Sequence, residues 1–413
     1  MCLAEMQATE SRRARLGRRI RQASEAITWL VAAAMIMLGL MTPAAPLPPP
    51  YALADLSMSP DTATDDLDAM IGQMLVLGFA GQSPSDGWTR KMLSLVHAGR
   101  IGGVLLMEQN IATRTQVAAL TAALREASPP QPLLIAIDEE GGAVQRLGPR
   151  QGVDAVPAAA TIAKAGSPEA AAKTYASLAA DLKTLGINLN LGPVVDLARN
   201  QNNPIIVRQR RSYGADPATV TAFARVFIRA HRQAGVLTAA KHFPGHGSSL
   251  ADSHAGKADV SKSWSDIELE PYRRLIASEP PPIVMVGHLH LDKLGGDDAL
   301  PATLSSAAID GLLRRDIGYQ GVVITDDLDM RAIRRSFAIE DAAVRAIAAG
   351  NDLILVSNSS RPDPDLADRL HQRIRAAVLD GTLSESRIEQ SYRRIMALKA
   401  ELTAPVAKAA SAH

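Results

Sequence analysis

Histidine and carboxylate side chains of this chain occur close together at a spacing that suits proton transfer. Five of the nine histidines lie between residues 242 and 290. Asp252 precedes His254 by two residues, so its carboxylate can hold the imidazole while the ring takes up and releases a proton near neutral pH. We therefore predict that Asp252 and His254 form a general acid/base pair. The alternative is a solvated loop ion pair, which contributes little to stability.

A carboxylate suited to nucleophilic attack follows an apolar run later in the chain. Gly321–Leu328 reads GVVITDDL, and Asp326 is the first acidic residue after four β-branched ones. A carboxylate is a good nucleophile toward the anomeric carbon of a sugar, because the transition state there is oxocarbenium-like and positively charged. Asp326 is the better candidate, and we expect Asp327 or Asp329 to cap the next helix.

Three other polar segments also follow apolar runs. Ile137–Arg146 reads IDEEGGAVQR; its glycines predict a tight turn that leaves Asp138 facing the site and Arg146 free to pair or to bind. Lys241–Gly247 reads KHFPGHG. His288 and His290 point to the same side of their strand, where each either lines the site or is hydrogen-bonded within the wall.

The histidines also raise the alternative of a zinc site formed by His242, His246 and His254. Their gaps through a Gly/Pro loop match no standard ligand spacing, and the HEXXH helix is absent. The single cysteine, Cys2, excludes an intrachain disulfide, a thiolate cluster and a cysteine nucleophile in the folded body. We expect no metal and no organic cofactor.

The elements that must position these residues alternate between apolar runs and Ala-rich helical stretches. Eight such runs predict the parallel strands of a (β/α)8 barrel, an α/β fold whose site lies at the C-terminal ends of the strands. The runs are Met74–Phe79, Gly103–Met107, Leu133–Asp138, Ile187–Asn190, Val236–Lys241, Ile283–His288, Val322–Asp326 and Leu353–Val356. The alternative, an open doubly wound sheet, needs a glycine-rich turn that residues 78–81 match poorly. The clearest helix begins at Asp216-Pro217, an N-cap followed by proline.

Residues 1–54 have the composition of an export signal. Six arginines precede the apolar run Ala26–Met41, and Ala52-Leu53-Ala54 has the A-x-A form of a cleavage site. Sixteen residues span about 24 Å as a helix, against a bilayer core of about 30 Å, so a cleaved signal peptide, an uncleaved anchor and a buried helix all stay open. Either export reading places the body in the periplasm or on the extracytoplasmic face of the inner membrane. We expect one catalytic domain over residues 60–402 and a disordered tail over 403–413.

Charge and composition exclude several classes of partner. The 413 residues carry 44 Lys and Arg against 43 Asp and Glu, a net charge of +1. The first 54 residues hold +3 of this, so the remainder is −2. Aromatic residues are only 3%, which argues against base-stacking platforms. We expect no nucleic-acid partner, and membrane contact only through an uncleaved N-terminal segment.

Four of these segments, taken in order along the chain, resemble glycoside hydrolase family 3. They are IDEEGGAVQR, KHFPGHG, Asp252–His254 (DSH) and GVVITDDL. The resemblance runs from about residue 65 to 400. Within the family the segments are most similar to the single-domain β-N-acetylglucosaminidases, which are built on a (β/α)8 barrel. The β-glucosidases of the family usually carry their acid on a separate C-terminal domain.

The resemblance implies a retaining exo-glycosidase that removes terminal non-reducing β-linked N-acetylglucosamine. Asp326 would form a covalent glycosyl–enzyme, and His254 would be the acid/base with Asp252 orienting it. Five residues would bind the sugar: Asp138, Arg146, Arg211, Lys241 and His242. Arg208 and Arg210 leave the choice of Arg211 open. We expect a monomer that takes peptidoglycan fragments or chitooligosaccharides.

Two departures from the family pattern, and three rival functions, accompany this hypothesis. Ala143 stands where the family usually has arginine, and the export-like N-terminus differs from the cytoplasmic relatives that recycle cell-wall fragments. The rivals are a family 3 enzyme acting on unsubstituted sugars, a metal-dependent barrel hydrolase and a non-catalytic sugar-binding envelope protein.

Overall fold

A computed structural model describes residues 63–128, 130–253, 256–295 and 300–403. The predicted signal or anchor segment, the predicted acid/base His254 and residues 404–413 of the predicted tail lie outside these ranges. The last helix runs to Thr403, which is the first residue of the predicted tail. Within the described ranges, no helix is long and apolar enough to cross a bilayer.

Eight parallel strands form a barrel in which each strand pairs with the next along the chain. They are β1 Leu75–Gly78, β2 Gly103–Leu106, β3 Leu134–Ile137, β4 Leu189–Asn190, β5 Leu237–Phe243, β6 Ile283–Val286, β7 Val322–Thr325 and β8 Ile354–Val356. The barrel closes because β8 pairs with β1, while Ile324 in β7 bridges to Leu353 just before β8. The predicted (β/α)8 barrel is therefore confirmed, and the open sheet is excluded. Each predicted run contains its strand, except that β5 extends two residues further.

The remaining elements surround the barrel or form its loops. The α-helices are Ala63–Gln73, Gly87–His97, Arg114–Glu126, Ala159–Ala165, Pro168–Thr184, Pro217–Gln233, Glu270–Ser278, Asp292–Gly295, Arg331–Arg334, Ile339–Ala349, Leu366–Leu379 and Glu385–Thr403. Short 3₁₀ turns occupy Glu108–Asn110, Pro149–Gln151, Asp266–Leu269 and Ala302–Leu304, and Ala307–Asp316 is a π-helix. Two small ladders lie in the loops, one joining Glu139–Gly141 to Val144–Gln145 and one joining Ala258–Asp259 to Leu289–His290.

The helix Pro217–Gln233 shows how local sequence sets these elements. The Asp216 carboxylate accepts the Thr219 N–H at 2.9 Å, which caps the first turn as predicted. Val220, Phe223 and Phe227 are buried on one face. Packing that face against the barrel stabilises the helix more than its intrinsic propensity does.

A buried charge cluster lies at the opposite end of the barrel from the predicted site. Asp352, which precedes β8, contacts Arg314 at 2.7 Å, Arg394 at 3.1 Å and Arg387 at 3.3 Å. Burial alone would raise the pKa of Asp352, but the three guanidinium groups hold it below its usual range. We interpret this cluster as structural, because active sites of such barrels lie at the C-terminal ends of the strands.

Candidate active site

A polar cavity of about 480 Å³ opens at the C-terminal ends of the strands. Its walls come from strands β2, β5, β6 and β8 and from the loops that follow β2, β3, β4, β7 and β8. Six of the eight predicted site residues line it: Asp138, Arg146, Arg211, Lys241, His242 and Asp326. The barrel therefore brings together residues that are nearly 190 positions apart in the chain.

Two cations and two carboxylates alternate along one wall of this cavity. Lys241 Nζ lies 2.7 Å from Asp138 Oδ1 and 2.7 Å from Glu140 Oε1. Arg211 binds the Glu140 carboxylate with two parallel hydrogen bonds, of 2.9 Å from Nε and 2.8 Å from Nη2. Burial alone would raise the pKa of Glu140, but Arg211 and Lys241 hold it well below its usual range. Glu140 thus stays ionised and fixes both cations.

Asp138 differs from Glu140 in its exposure. The Asp138 side chain is 20% exposed and the Glu140 side chain 7%. Arg146 lies 3.9 Å from Asp138 Oδ2 and also pairs with Glu108. Asp138 therefore presents a carboxylate to the cavity while Glu140 supports the wall behind it.

His242 is oriented by a carboxylate from another loop. Nδ1 of His242 lies 2.7 Å from Asp196 Oδ2, and Asp196 Oδ1 accepts the backbone N–H of His246 at 2.7 Å. Burial alone would raise the pKa of Asp196, but His242 outweighs that effect and lowers it. Burial also lowers the pKa of His246, to about 4, so this second histidine is neutral at pH 7.

Asp326 follows β7 and reaches the cavity half-buried. Its backbone N–H donates to the Val286 carbonyl at 3.0 Å, and its Oδ1 accepts the Asp327 N–H at 2.8 Å. These bonds fix the turn at the end of the strand, so the Asp326 side chain is aimed into the mouth of the barrel.

The prediction that Asp327 or Asp329 caps the next helix is wrong. The helix Arg331–Arg334 begins after Met330, with no side-chain cap. Asp327 instead accepts the N–H groups of Asp329 and Ser357, at 3.0 and 2.8 Å, and burial raises its pKa to about 6. Asp329 pairs with Arg334 and accepts two N–H groups of the loop after β8. Both carboxylates accept hydrogen bonds from backbone N–H groups of the loops, and these bonds compete with capping of the helix.

His288 belongs to the barrel wall. Its Nδ1 lies 2.8 Å from Thr303 Oγ1 and its Nε2 lies 2.9 Å from the Asp327 carbonyl. Of the two alternatives for His288, lining the site or being hydrogen-bonded within the barrel wall, the second is therefore correct. His290 is paired with Asp259 in a small ladder outside the barrel.

The loop with the predicted acid/base pair is described up to Ser253. Asp252 is half-buried, and Ser253 Oγ lies 3.2 Å from His246 Nε2. The role of the pair stays a prediction, because His254 lies outside the described residues. In the part of the chain that the structure covers, no three histidine, cysteine or acidic side chains are arranged to hold a metal ion.

Two residues of this site were missed by the sequence interpretation. Glu140 sits between the two cations, and Asp196 holds His242. Both follow a barrel strand, as the predicted Asp138 and Asp326 do, so their position after a strand was an available signal. What sequence cannot show is that their partners come from segments 46 to 101 residues away.

The barrel and the polar cavity at its mouth define an active site of the (β/α)8-barrel enzyme type. Residues 66–398 match the glycosyl hydrolase family 3 N-terminal domain, so the chain belongs to this family. The β-hexosaminidase LpqI of Mycobacterium tuberculosis is 34% identical over 341 residues, which cover 80% of this chain and 81% of that protein. β-Hexosaminidase A of Pseudoalteromonas piscicida is 33% identical over 83% of this chain, but the match spans only 62% of the relative.

Solved structures show the same architecture. A family 3 β-N-acetylglucosaminidase from Paenibacillus superimposes with a TM-score of 0.74 at 37% identity, covering 82% of this chain and 62% of that one. The β-N-acetylhexosaminidase of Beutenbergia cavernae gives a TM-score of 0.73 at 28% identity, and the match covers 81% of this chain and 98% of that one.

Proposed function

We propose that this protein is a retaining exo-glycosidase that removes terminal non-reducing β-linked N-acetylglucosamine from peptidoglycan fragments or chitooligosaccharides. The observation that carries the proposal is the cavity itself, which Asp326 lines together with Asp138, Lys241, His242 and Arg211. Relatives named as β-hexosaminidases, which are about one-third identical to this chain over the aligned residues, support the choice of sugar.

In the proposed first step, Asp326 attacks the anomeric carbon and the bond from that carbon to the leaving oxygen breaks. His254 protonates this oxygen, and Asp252 orients the His254 ring. In the second step, His254 takes a proton from water, whose oxygen displaces Asp326. Two displacements at one carbon retain its configuration.

The remaining cavity residues bind the sugar in this proposal. The Asp138 carboxylate accepts hydrogen bonds from sugar hydroxyls, and Lys241, Arg146, Arg211 and His242 supply donors or hold the carboxylates in place. The dense pairing among these groups fixes their positions before substrate binds, which lowers the cost of ordering them. No step requires a metal or an organic cofactor.

The test compares nitrophenol release from 4-nitrophenyl N-acetyl-β-D-glucosaminide and from the matching β-glucoside, with and without a chelator. We expect turnover of the acetamido sugar that survives the chelator. Loss of turnover with the chelator would favour a metal-dependent hydrolase, and preference for the glucoside would favour the branch acting on unsubstituted sugars. Turnover of neither sugar by the folded protein would favour a non-catalytic sugar-binding protein.

Asp326→Asn is the decisive variant in this assay. Removing the nucleophile should lower kcat by about 1,000-fold or more, while the free energy of unfolding changes little. Asp316→Asn, which alters an exposed aspartate outside the cavity, is the matched control. Activity retained by Asp326→Asn would contradict the proposed role.

We further propose that residues 1–54 export the protein, with cleavage after Ala54, and that the body acts as a monomer outside the cytoplasm. N-terminal sequencing of the protein recovered from the cell envelope tests the cleavage. A mature chain beginning at Asp55 is expected, and retention of residue 1 would favour the anchor instead.

A further inference from the structure

A second cavity, of about 1070 Å³, adjoins the candidate active site. Asp329, Arg331 and Ser360 line both cavities, so the two are direct neighbours. The second cavity is formed by the loops and helices that follow β7 and β8. We call it the arginine groove, because its lining includes Arg331, Arg334, Arg335, Arg361 and Arg369.

Three of these arginines carry charge that no carboxylate of the described residues balances. Arg334 pairs with Asp329, and Arg369 pairs with Glu340 and Asp363. Arg331, Arg335 and Arg361 make no ion pair with any described residue. Five arginines against three carboxylates leave the groove at +2, although the chain beyond residue 54 is −2 overall.

The arginine groove lies beside both residues that the proposed reaction needs. Asp329 and Arg331 are three and five residues beyond the nucleophile Asp326. An ideal Cβ on Gly256 would lie 2.8 Å from Nη1 of Arg335, and Gly256 is two residues beyond His254. The groove therefore borders the loop of the nucleophile and the loop of the acid, which is where the leaving group must depart.

We propose that the arginine groove binds the aglycone and selects aglycones that carry a carboxylate. This inference rests on the proposed function and extends it to the leaving-group side of the bond. Guanidinium groups present a planar fork that matches a carboxylate, and an unpaired arginine at a cavity wall has hydrogen-bond donors to offer. With a neutral aglycone, these guanidinium N–H groups would make hydrogen bonds only to water.

The test uses disaccharides of N-acetylglucosamine β-linked to N-acetylmuramic acid that differ only in the lactyl group. One carries the free carboxylate, one its primary amide, and one an amide to glutamic acid, which moves the carboxylate onto a peptide. The proteins are the wild type, Arg335→Gln/Arg361→Gln and the control Arg315→Gln, which alters an exposed arginine outside the groove.

The wild type should hydrolyse at least one of the acidic substrates about tenfold faster than the amide, measured as kcat/KM, and salt should reduce this preference. The double variant should lose most of the preference while keeping its activity on the amide and on the nitrophenyl substrate. Arg315→Gln should behave as the wild type. The more favoured acidic substrate identifies whether the carboxylate belongs to the sugar or to the peptide.

Equal rates for acids and amide in the wild type would overturn the proposal, as would an equal loss on all substrates in the double variant. Absence of any hydrolysis, including that of the nitrophenyl substrate, would instead overturn the proposed function. The groove is then tested by calorimetry with N-acetylmuramic acid and its amide. Tighter binding of the acid that is lost in the double variant supports the groove, and equal binding overturns it.

Discussion

Nδ1 of His242 and Oδ2 of Asp196 lie 2.7 Å apart in the buried base of the cavity. Because an ionised carboxylate only accepts hydrogen bonds, this contact places a proton on Nδ1. In the neutral ring, Nε2 is then an acceptor, 3.5 Å from Nη2 of Arg211. Asp196 therefore sets which hydrogen bonds His242 can offer to a sugar.

Asp196→Asn should weaken both folding and substrate binding. An amide nitrogen facing Nδ1 would favour the other tautomer, in which the Nε2 proton points toward Arg211. We expect a loss of about 1–3 kcal/mol in the free energy of unfolding and a higher KM. Urea unfolding and steady-state kinetics measure the two effects. Asp216→Asn, at an exposed helix cap where Asn and Asp are equivalent, should change neither, and wild-type behaviour of Asp196→Asn would contradict this assignment.

The neighbours Asp138 and Glu140 should give opposite results when neutralised. Glu140→Gln leaves buried Arg211 and Lys241 without their shared anion, so we expect a loss of about 3–5 kcal/mol of stability. Asp138→Asn removes a more exposed carboxylate and should mainly lower kcat/KM, by about 10- to 100-fold. Thermal or urea unfolding measures the loss of stability, and kinetics on the nitrophenyl sugar measure the loss of activity, for both variants. Equal loss of stability in both variants would contradict the division.

His254→Gln should accumulate the glycosyl–enzyme on a nitrophenyl substrate. Nitrophenolate is a good leaving group and departs without an acid, whereas the second step still needs a base for water. We expect a burst of nitrophenol, a slow steady state and one added sugar on the peptide that contains Asp326, detected by mass spectrometry. The same label on another peptide would exclude Asp326 as the nucleophile.

Glu268 should make stability depend on pH. Its carboxylate accepts the Gly247 N–H at 2.9 Å, and burial raises its pKa from 4.5 to about 8. A raised pKa means that the folded state holds the proton more tightly, so this contribution is complete below pH 4.5 and is lost as the pH rises to about 8. Between pH 5.5 and 7.5, we expect the wild type to lose about 2–3 kcal/mol relative to Glu268→Gln.

This comparison cancels the other buried groups, because both proteins carry them. Lys399, for example, has its pKa lowered by burial to about 7. Its contribution to the stability of the folded protein therefore increases as the pH rises. Urea unfolding of both proteins at the two pH values gives the difference. Parallel curves would show that Glu268 does not titrate in this range.

Local sequence predicted the barrel because its signals are short-range. Each strand lies within an apolar run, apart from the last two residues of β5, since a strand covered on both faces must be largely apolar. The helix Pro217–Gln233 begins at its predicted cap. Asp327 and Asp329 were misjudged because the backbone of another loop, at Ser357 to Ser360, competes for their oxygens, and that loop comes close only when β7 and β8 pair.

Sequence patterns alone predicted the fold class and the positions at strand ends where site residues had to lie. These patterns also identified Asp138, Lys241 and Asp326 as candidate site residues. Which charges pair depends on the folded barrel, because Glu140 contacts Arg211 and Asp196 contacts His242 across separations that no spacing along the chain encodes. The folded barrel also determines which arginines make no ion pair with a described residue, since closing the barrel sets the loops after β7 and β8 side by side next to the candidate active site.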